Sequence, residues 1–129
     1  MSVADSLKTW HEFVTKKDPK ILHDIIHPDA VFRSPMVYKP YHGRDILTFV
    51  LSQVVEIFEN FTYHRELISE DGRSAFLEFT ARIGDKNLKG LDLITFDAQG
   101  KITEFEVLVR PMSGLLALAE QMGERMAKI

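Results

Sequence analysis

The sequence predicts an α+β fold, with helices packed on one face of a curved antiparallel sheet. Three observations carry this. Apolar residues recur every three or four positions up to about residue 58. From about residue 61 they recur every second position, in stretches separated by Gly-containing turns. A last helical stretch follows Pro111. Helices first and consecutive strands second point to α+β, not to an alternating α/β chain. A curved sheet closed on one side by helices makes a cone, and a cone leaves an apolar pocket between its layers. The 129 residues suit a single domain, 1–129.

The elements follow in order. Residues 2–17 read as a helix, with Val3, Leu7, Trp10 and Val14 on one stripe and Phe13 beside it. Asp18 caps a short second helix and Pro19 takes its first position; His27-Pro28-Asp29 ends it. Residues 30–34 read as a short strand stopped by Pro35, and 36–42 as a loop. Gly43 opens a third helix over residues 44–58. The sheet is then a four-strand meander: 61–69, 74–83, 88–96 and 101–109. Its turns are Asp71-Gly72, residues 84–87 and residues 97–100. Residues 112–126 form the closing helix, built on Leu115, Leu116, Leu118, Ala119 and Met122.

Composition excludes several classes of function. The 16 Lys and Arg are scattered and the net charge is -3, so there is no footprint for a nucleic acid. With no cysteine, disulfides and thiolate chemistry are ruled out, and a cytoplasmic protein is expected. The first residues hold an acid and no apolar run, so no secretory leader is expected, and no stretch is long enough to span a membrane. The five histidines show no metal-ligand spacing and no Gly-rich phosphate loop occurs, so neither metal nor cofactor is expected.

Asp92 does not fit a plain core. It lies mid-strand, with Leu88, Gly90, Ile94 and Phe96 as face-mates by alternation. Phe105, Val107 and Val109 are the apolar set of the next strand. A bulge at the Gly100 turn shifts the parity by one and places Asp92 opposite Phe105, on the inner face. A carboxylate among hydrocarbon has a raised pKa unless a partner compensates, and can then act as acid, neutral donor or base. The plainer alternative is an outward Asp92, or one held in a structural ion pair with an Arg.

Several stretches together resemble the nuclear transport factor 2-like superfamily, in its SnoaL-like small-molecule branch. They are residues 27–35 (His27-Pro28-Asp29-Ala30-Val31-Phe32-Arg33-Ser34-Pro35), His42-Gly43-Arg44, residues 90–102, and Arg110-Pro111. The resemblance implies a cone-shaped α+β fold, an internal cavity and a homodimer packed through the outer face of the sheet. Laid along the ketosteroid isomerases of this fold, the general-base Asp falls at Ser34, the oxyanion-hole Tyr at Trp10 and the oxyanion-hole Asp at Asp92. Only Asp92 is kept, and a serine hydroxyl has no useful basicity. SnoaL-type cyclases are similar in using one cavity Asp as acid/base, a part Asp92 can take. Limonene epoxide hydrolases need an Asp-Arg-Asp set, which Glu78 and Arg110 do not match well.

Other candidates each have a plainer reading beside them. Trp10 offers an indole N–H to a ligand, or is a core aromatic. Tyr38 gates the mouth with Tyr41, or packs on the surface. Tyr63 places a phenol at the cavity floor, or turns out. Glu78 sits on the polar side of its strand but is a site candidate by family geometry. Arg110 neutralises Asp92 or Glu78, while His27 serves a helix end. Ser34, Phe105 and Val107 complete the expected lining. Two classes of function fit: a cofactor-independent isomerase, cyclase or hydrolase of a small hydrophobic molecule using Asp92, or a binding module in which Asp92 only anchors a ligand. Phe76, Leu91 and Leu93 point outward and, with the final helix, are expected to meet a second copy of the chain.

Overall fold

The computed structural model describes residues 2–128. Helix α1 (Val3–Lys16) starts with a reciprocal cap: Ser2 Oγ accepts from the Asp5 N–H and Asp5 Oδ2 accepts from the Ser2 N–H. Lys17 ends it in the left-handed conformation. Asp18 caps the next segment, Pro19–Ile25, which is a 3-10 helix. Strands β1 (Ile26–Arg33) and β2 (Tyr41–His42) lead to helix α2 (Arg44–Ile57). Strands β3 (Glu59–Ile68), β4 (Ser74–Ile83), β5 (Lys86–Phe96) and β6 (Ile102–Arg110) then run as a meander, and helix α3 (Met112–Met126) closes the chain.

The sheet has six strands in the order β2-β1-β6-β5-β4-β3, and it is curved and unclosed. The meander is antiparallel, as the alternation predicts, but β1 lies parallel beside β6. The short strand expected at residues 30–34 is thus the second half of β1, and it joins the four-strand meander in one sheet, with β2 added at the edge. His27-Pro28-Asp29 looks like a helix stop, yet it sits inside β1. The register with β6 breaks between Ile26 and Val31, and a proline without an N–H is tolerated at such a break. His27 therefore serves no helix end; its Nδ1 accepts from the Asp29 N–H.

The sheet's two faces differ sharply. Along β5, Leu88, Gly90, Asp92, Ile94 and Phe96 are buried, while their neighbours are partly or fully exposed. The buried face packs on Leu7, Trp10 and Phe13 of α1, Leu47, Val50 and Leu51 of α2, and Leu118 and Met122 of α3. Close packing of α3 on β5 depends on Gly114, where a Cβ would lie 2.7 Å from the Leu88 Cβ. No helix among the described residues is long and apolar enough to cross a membrane.

Candidate functional site

The helices and the buried face of the sheet enclose a cavity of about 230 Å³. Its walls are apolar: Phe32, Val50, Val54, Phe58, Leu118 and Met122 are typical. Met36 and half-exposed Val37 carry the lining out to the surface. The polar side chains in the lining are few, and they include Asp92, Tyr63, Trp10 and Ser34.

Asp92 arrives there by strand geometry. The bulge lies between Thr95 and Phe96 of β5, where Phe96 pairs with Ile102 and Thr95 with Glu104. This puts Asp92 on the inner face, opposite Val107; Phe105, the partner expected from sequence, faces Ile94. On the other side Asp92 pairs with Leu77 of β4. Asp92 is 6% exposed. Burial raises its pKa to about 7, and a hydrogen bond from Tyr63 partly offsets this.

That bond belongs to a short chain. Trp10 Nε1–H donates to Tyr63 Oη at 2.9 Å, and Tyr63 Oη–H donates to Asp92 Oδ2 at 2.6 Å. Tyr63 is half-buried as a residue, but its hydroxyl end is enclosed. Desolvation, helped by the adjacent carboxyl, holds the phenol pKa well above 10. Tyr63 is thus a donor at every physiological pH. Ring contacts fix it: Phe61 meets it edge-on at 4.8 Å and His11 at 5.2 Å.

The remaining candidates are divided. Ser34 and Val107 line the cavity. The Ser34 Oγ accepts from the Met36 N–H, so it serves the loop as well. Phe105 is fully buried behind Trp10, with ring centroids 5.0 Å apart, and is core. Tyr38 is fully exposed and outside the lining; of the two tyrosines expected at the mouth, Tyr41 lines the cavity.

Glu78 is on the outer face, away from the cavity. Alternation puts it there with Phe76 and Thr80, and two cations hold it: Arg65 at 2.8 Å and Lys89 at 3.0 Å. They bring its pKa down to about 2. What covers it is two long side chains at the surface, so solvent screens the cluster as it does other surface pairs. Arg110, expected to neutralise Asp92 or Glu78, is exposed at the end of β6 and pairs with neither among the described residues. Arg65 and Lys89 give no sequence signal for their role, since each is one charge among many on a solvated face. No group of three or more His, Asp or Glu among the described residues is placed to hold a metal.

The profile of the SnoaL-like domain matches residues 7–105. The chain belongs to the SnoaL-like family. A crystal structure of a steroid delta-isomerase from Pseudomonas aeruginosa superposes on this SnoaL-like chain with a TM-score of 0.95 and 52% identity, covering 98% of this chain and 92% of that one. A nuclear transport factor 2-like protein of unknown function from Burkholderia xenovorans LB400 gives a TM-score of 0.69 at 18% identity, over 83% and 81% of the two chains. SalBIII, an epoxide hydrolase/cyclase-like enzyme described for pyran ring formation in the polyether salinomycin, gives 0.70 at 16%, over 87% and 92%. The last two likenesses establish the fold and nothing finer. No curated protein matches the chain.

Proposed function

We propose that this SnoaL-like protein binds a small hydrophobic molecule in the cavity and transforms it by proton transfer at Asp92. The reaction classes are isomerisation, cyclisation and hydrolysis, run without a cofactor. One observation carries the reading: a single carboxyl lies among apolar walls, with a pKa of about 7 that lets it both give and take a proton near neutrality. Trp10, Tyr63, Ser34 and Val107 are its neighbours in the lining. Likeness to a steroid delta-isomerase at 52% identity favours isomerisation of a carbonyl compound. Ser34 stands where the ketosteroid isomerases carry their base, so a two-carboxyl mechanism has no second group here; Asp92 would both remove and return the proton.

The test offers the protein a β,γ-unsaturated ketosteroid, a terpene epoxide and a hydroxy-epoxide, and follows products by mass spectrometry. Conversion by the wild type, reduced at least about 100-fold in Asp92→Asn with the fold intact, supports the proposal. Unchanged conversion by Asp92→Asn overturns it. A second reading, a binding protein without chemistry, is favoured by Ser34 itself, whose hydroxyl receives the Met36 N–H and has no basicity. Tight binding of one of these molecules and its release unaltered would decide for that reading. Residues 1–129 as one domain, a cytoplasmic location and a homodimer through the outer sheet face are parts of the same proposal.

A further inference from the structure

An indole nitrogen donates and cannot accept. Since Trp10 Nε1–H donates to Tyr63 Oη, the phenol oxygen is the acceptor in that bond. The phenol has one proton, and the acceptor in reach of it among the described residues is Asp92 Oδ2. Turning the proton elsewhere would leave an enclosed donor unpaired, which is costly. The direction Trp10 to Tyr63 to Asp92 is therefore fixed in both protonation states of Asp92. Oδ2 is committed as an acceptor, and a proton on Asp92 is left with Oδ1. That oxygen has no partner among the described residues, and it is not sealed in. Arg44 Nε is the one fully enclosed side-chain polar atom without a partner among them. Oδ1 opens on the cavity that Asp92 lines.

We infer that Trp10 is a positioning residue which, through Tyr63, aims the proton of Asp92 into the cavity, so that the protein selects apolar molecules bearing an acceptor oxygen (ketone, ether or epoxide) over the same carbon frame without one. This rests on the proposed small-molecule role of the cavity, but not on Asp92 performing chemistry. The surroundings of Asp92 leave few other groups to interfere. Tyr63 faces it from β3, with Trp10 of α1 behind. Leu77 faces it from β4 and Val107 from β6. The lining residues of α2 and α3 are uncharged. Glu66 and His11 pair with each other at the surface; Glu66 acts on the Tyr63 phenol, His11 packs on its ring, and neither acts on Asp92.

The experiment measures binding of 1-tetralone, which only accepts, and of tetralin, which does neither, by calorimetry at pH 5.5 and 8.5. The wild type should favour the ketone about five-fold at pH 5.5, the size of one net hydrogen bond, and lose that advantage at pH 8.5, where a carboxylate faces the carbonyl. Asp92→Asn should keep the advantage at both pH values, because its amide oxygen accepts from Tyr63 and its NH2 points into the cavity. Trp10→Phe should bring the ratio to about parity at pH 5.5, since water in the vacated space lets the phenol turn round. If Trp10→Phe fails to fold, Tyr63→Phe tests the chain by titration instead: with the donor to Oδ2 gone, the 13Cγ titration of Asp92 should move to higher pH. Equal binding of the two probes to the wild type at pH 5.5, no measurable binding included, overturns the inference. So does an advantage that persists at pH 8.5 in the wild type, is lost in Asp92→Asn or survives the Trp10→Phe change, or an Asp92 titration that Tyr63→Phe leaves in place. Turnover bears only on the catalytic proposal: an Asp92→Asn variant that converts substrate at an unchanged rate would sink that proposal and leave these affinities standing.

Discussion

Asp92 makes the stability of the protein depend on pH below neutrality. Unfolded, an aspartate titrates near 3.8; folded, Asp92 titrates near 7. Below pH 3.8 the side chain is protonated in both states and costs nothing. Between 3.8 and 7 the folded state holds a proton that the unfolded state has released, so stability falls as pH rises. Above 7 the penalty is complete, up to about 4 kcal/mol. Asp92→Asn removes it while keeping an acceptor for Tyr63. Urea unfolding should therefore find the variant more stable than the wild type at pH 8, and the two close together at pH 4. Equal stability differences at both pH values would contradict the buried carboxyl. The residue itself was legible in the sequence, because one charge in a strand of period two stands out. Its partner was not: counting across the bulge gives Phe105 or Val107 depending on where the extra residue sits, and that is fixed by backbone geometry at the turn. Trp10 was legible as a stripe residue, but its N–H is spent on Tyr63, a pairing across 53 positions that no local pattern encodes.

Between strands, the inner face depends on one missing side chain. A Cβ on Gly90 would lie 2.4 Å from Phe79 Cζ and 2.6 Å from the Leu108 carbonyl oxygen. The Phe79 ring fills that space and stacks on Phe61 at 4.9 Å, within the aromatic cluster that reaches Tyr63. Gly90→Ala should thus cost about 3 kcal/mol by overpacking, because one of the two obstacles is backbone. Thermal denaturation would check it, and a neutral outcome would mean the strands are looser than described. On the outer face, Arg65 of β3 and Lys89 of β5 meet on Glu78 of β4 and tie three strands together. Glu78 titrates below its ordinary value, so its contribution is present above about pH 4.5 and is lost as pH falls toward 2. Glu78→Gln should lower the Tm slightly at pH 7 and not at pH 2, the reverse of the Asp92 pattern. The meander and all three α-helices could be read from periodicity. The second half of β1 was legible as a short strand; its first half was hidden because His27-Pro28-Asp29 mimics a stop, and its parallel pairing with β6 because that joins residues about seventy positions apart.

At the scale of the molecule, the sheet is a partition: one face encloses the cavity and the other is open. The open face is apolar at its centre. Leu67, Phe76 and Leu93 lie side by side across β3, β4 and β5, and Leu91 lies beside Leu108 across β5 and β6. Leu67 is 61% exposed, Phe76 47% and Leu108 46%. Large apolar side chains grouped on one sheet face are costly to leave in water. Of the charges that flank them, Glu78 is paired with Arg65 and Lys89 and Glu104 with Arg33, while Glu106, beside Leu93, has no ion-pair partner among the described residues. A two-fold axis through such a patch lets it cover itself, apolar centre on apolar centre. Phe76→Asp should therefore turn a dimer into a monomer in sedimentation at micromolar concentration. Because Phe76 points away from the cavity, the same variant should leave the Asp92 titration where it is. A wild type that sediments as a monomer would remove the dimer from the proposal. A shift of the Asp92 titration in Phe76→Asp would show instead that the two faces of the sheet are coupled through β4 and β5, and that the partition is not mechanical insulation.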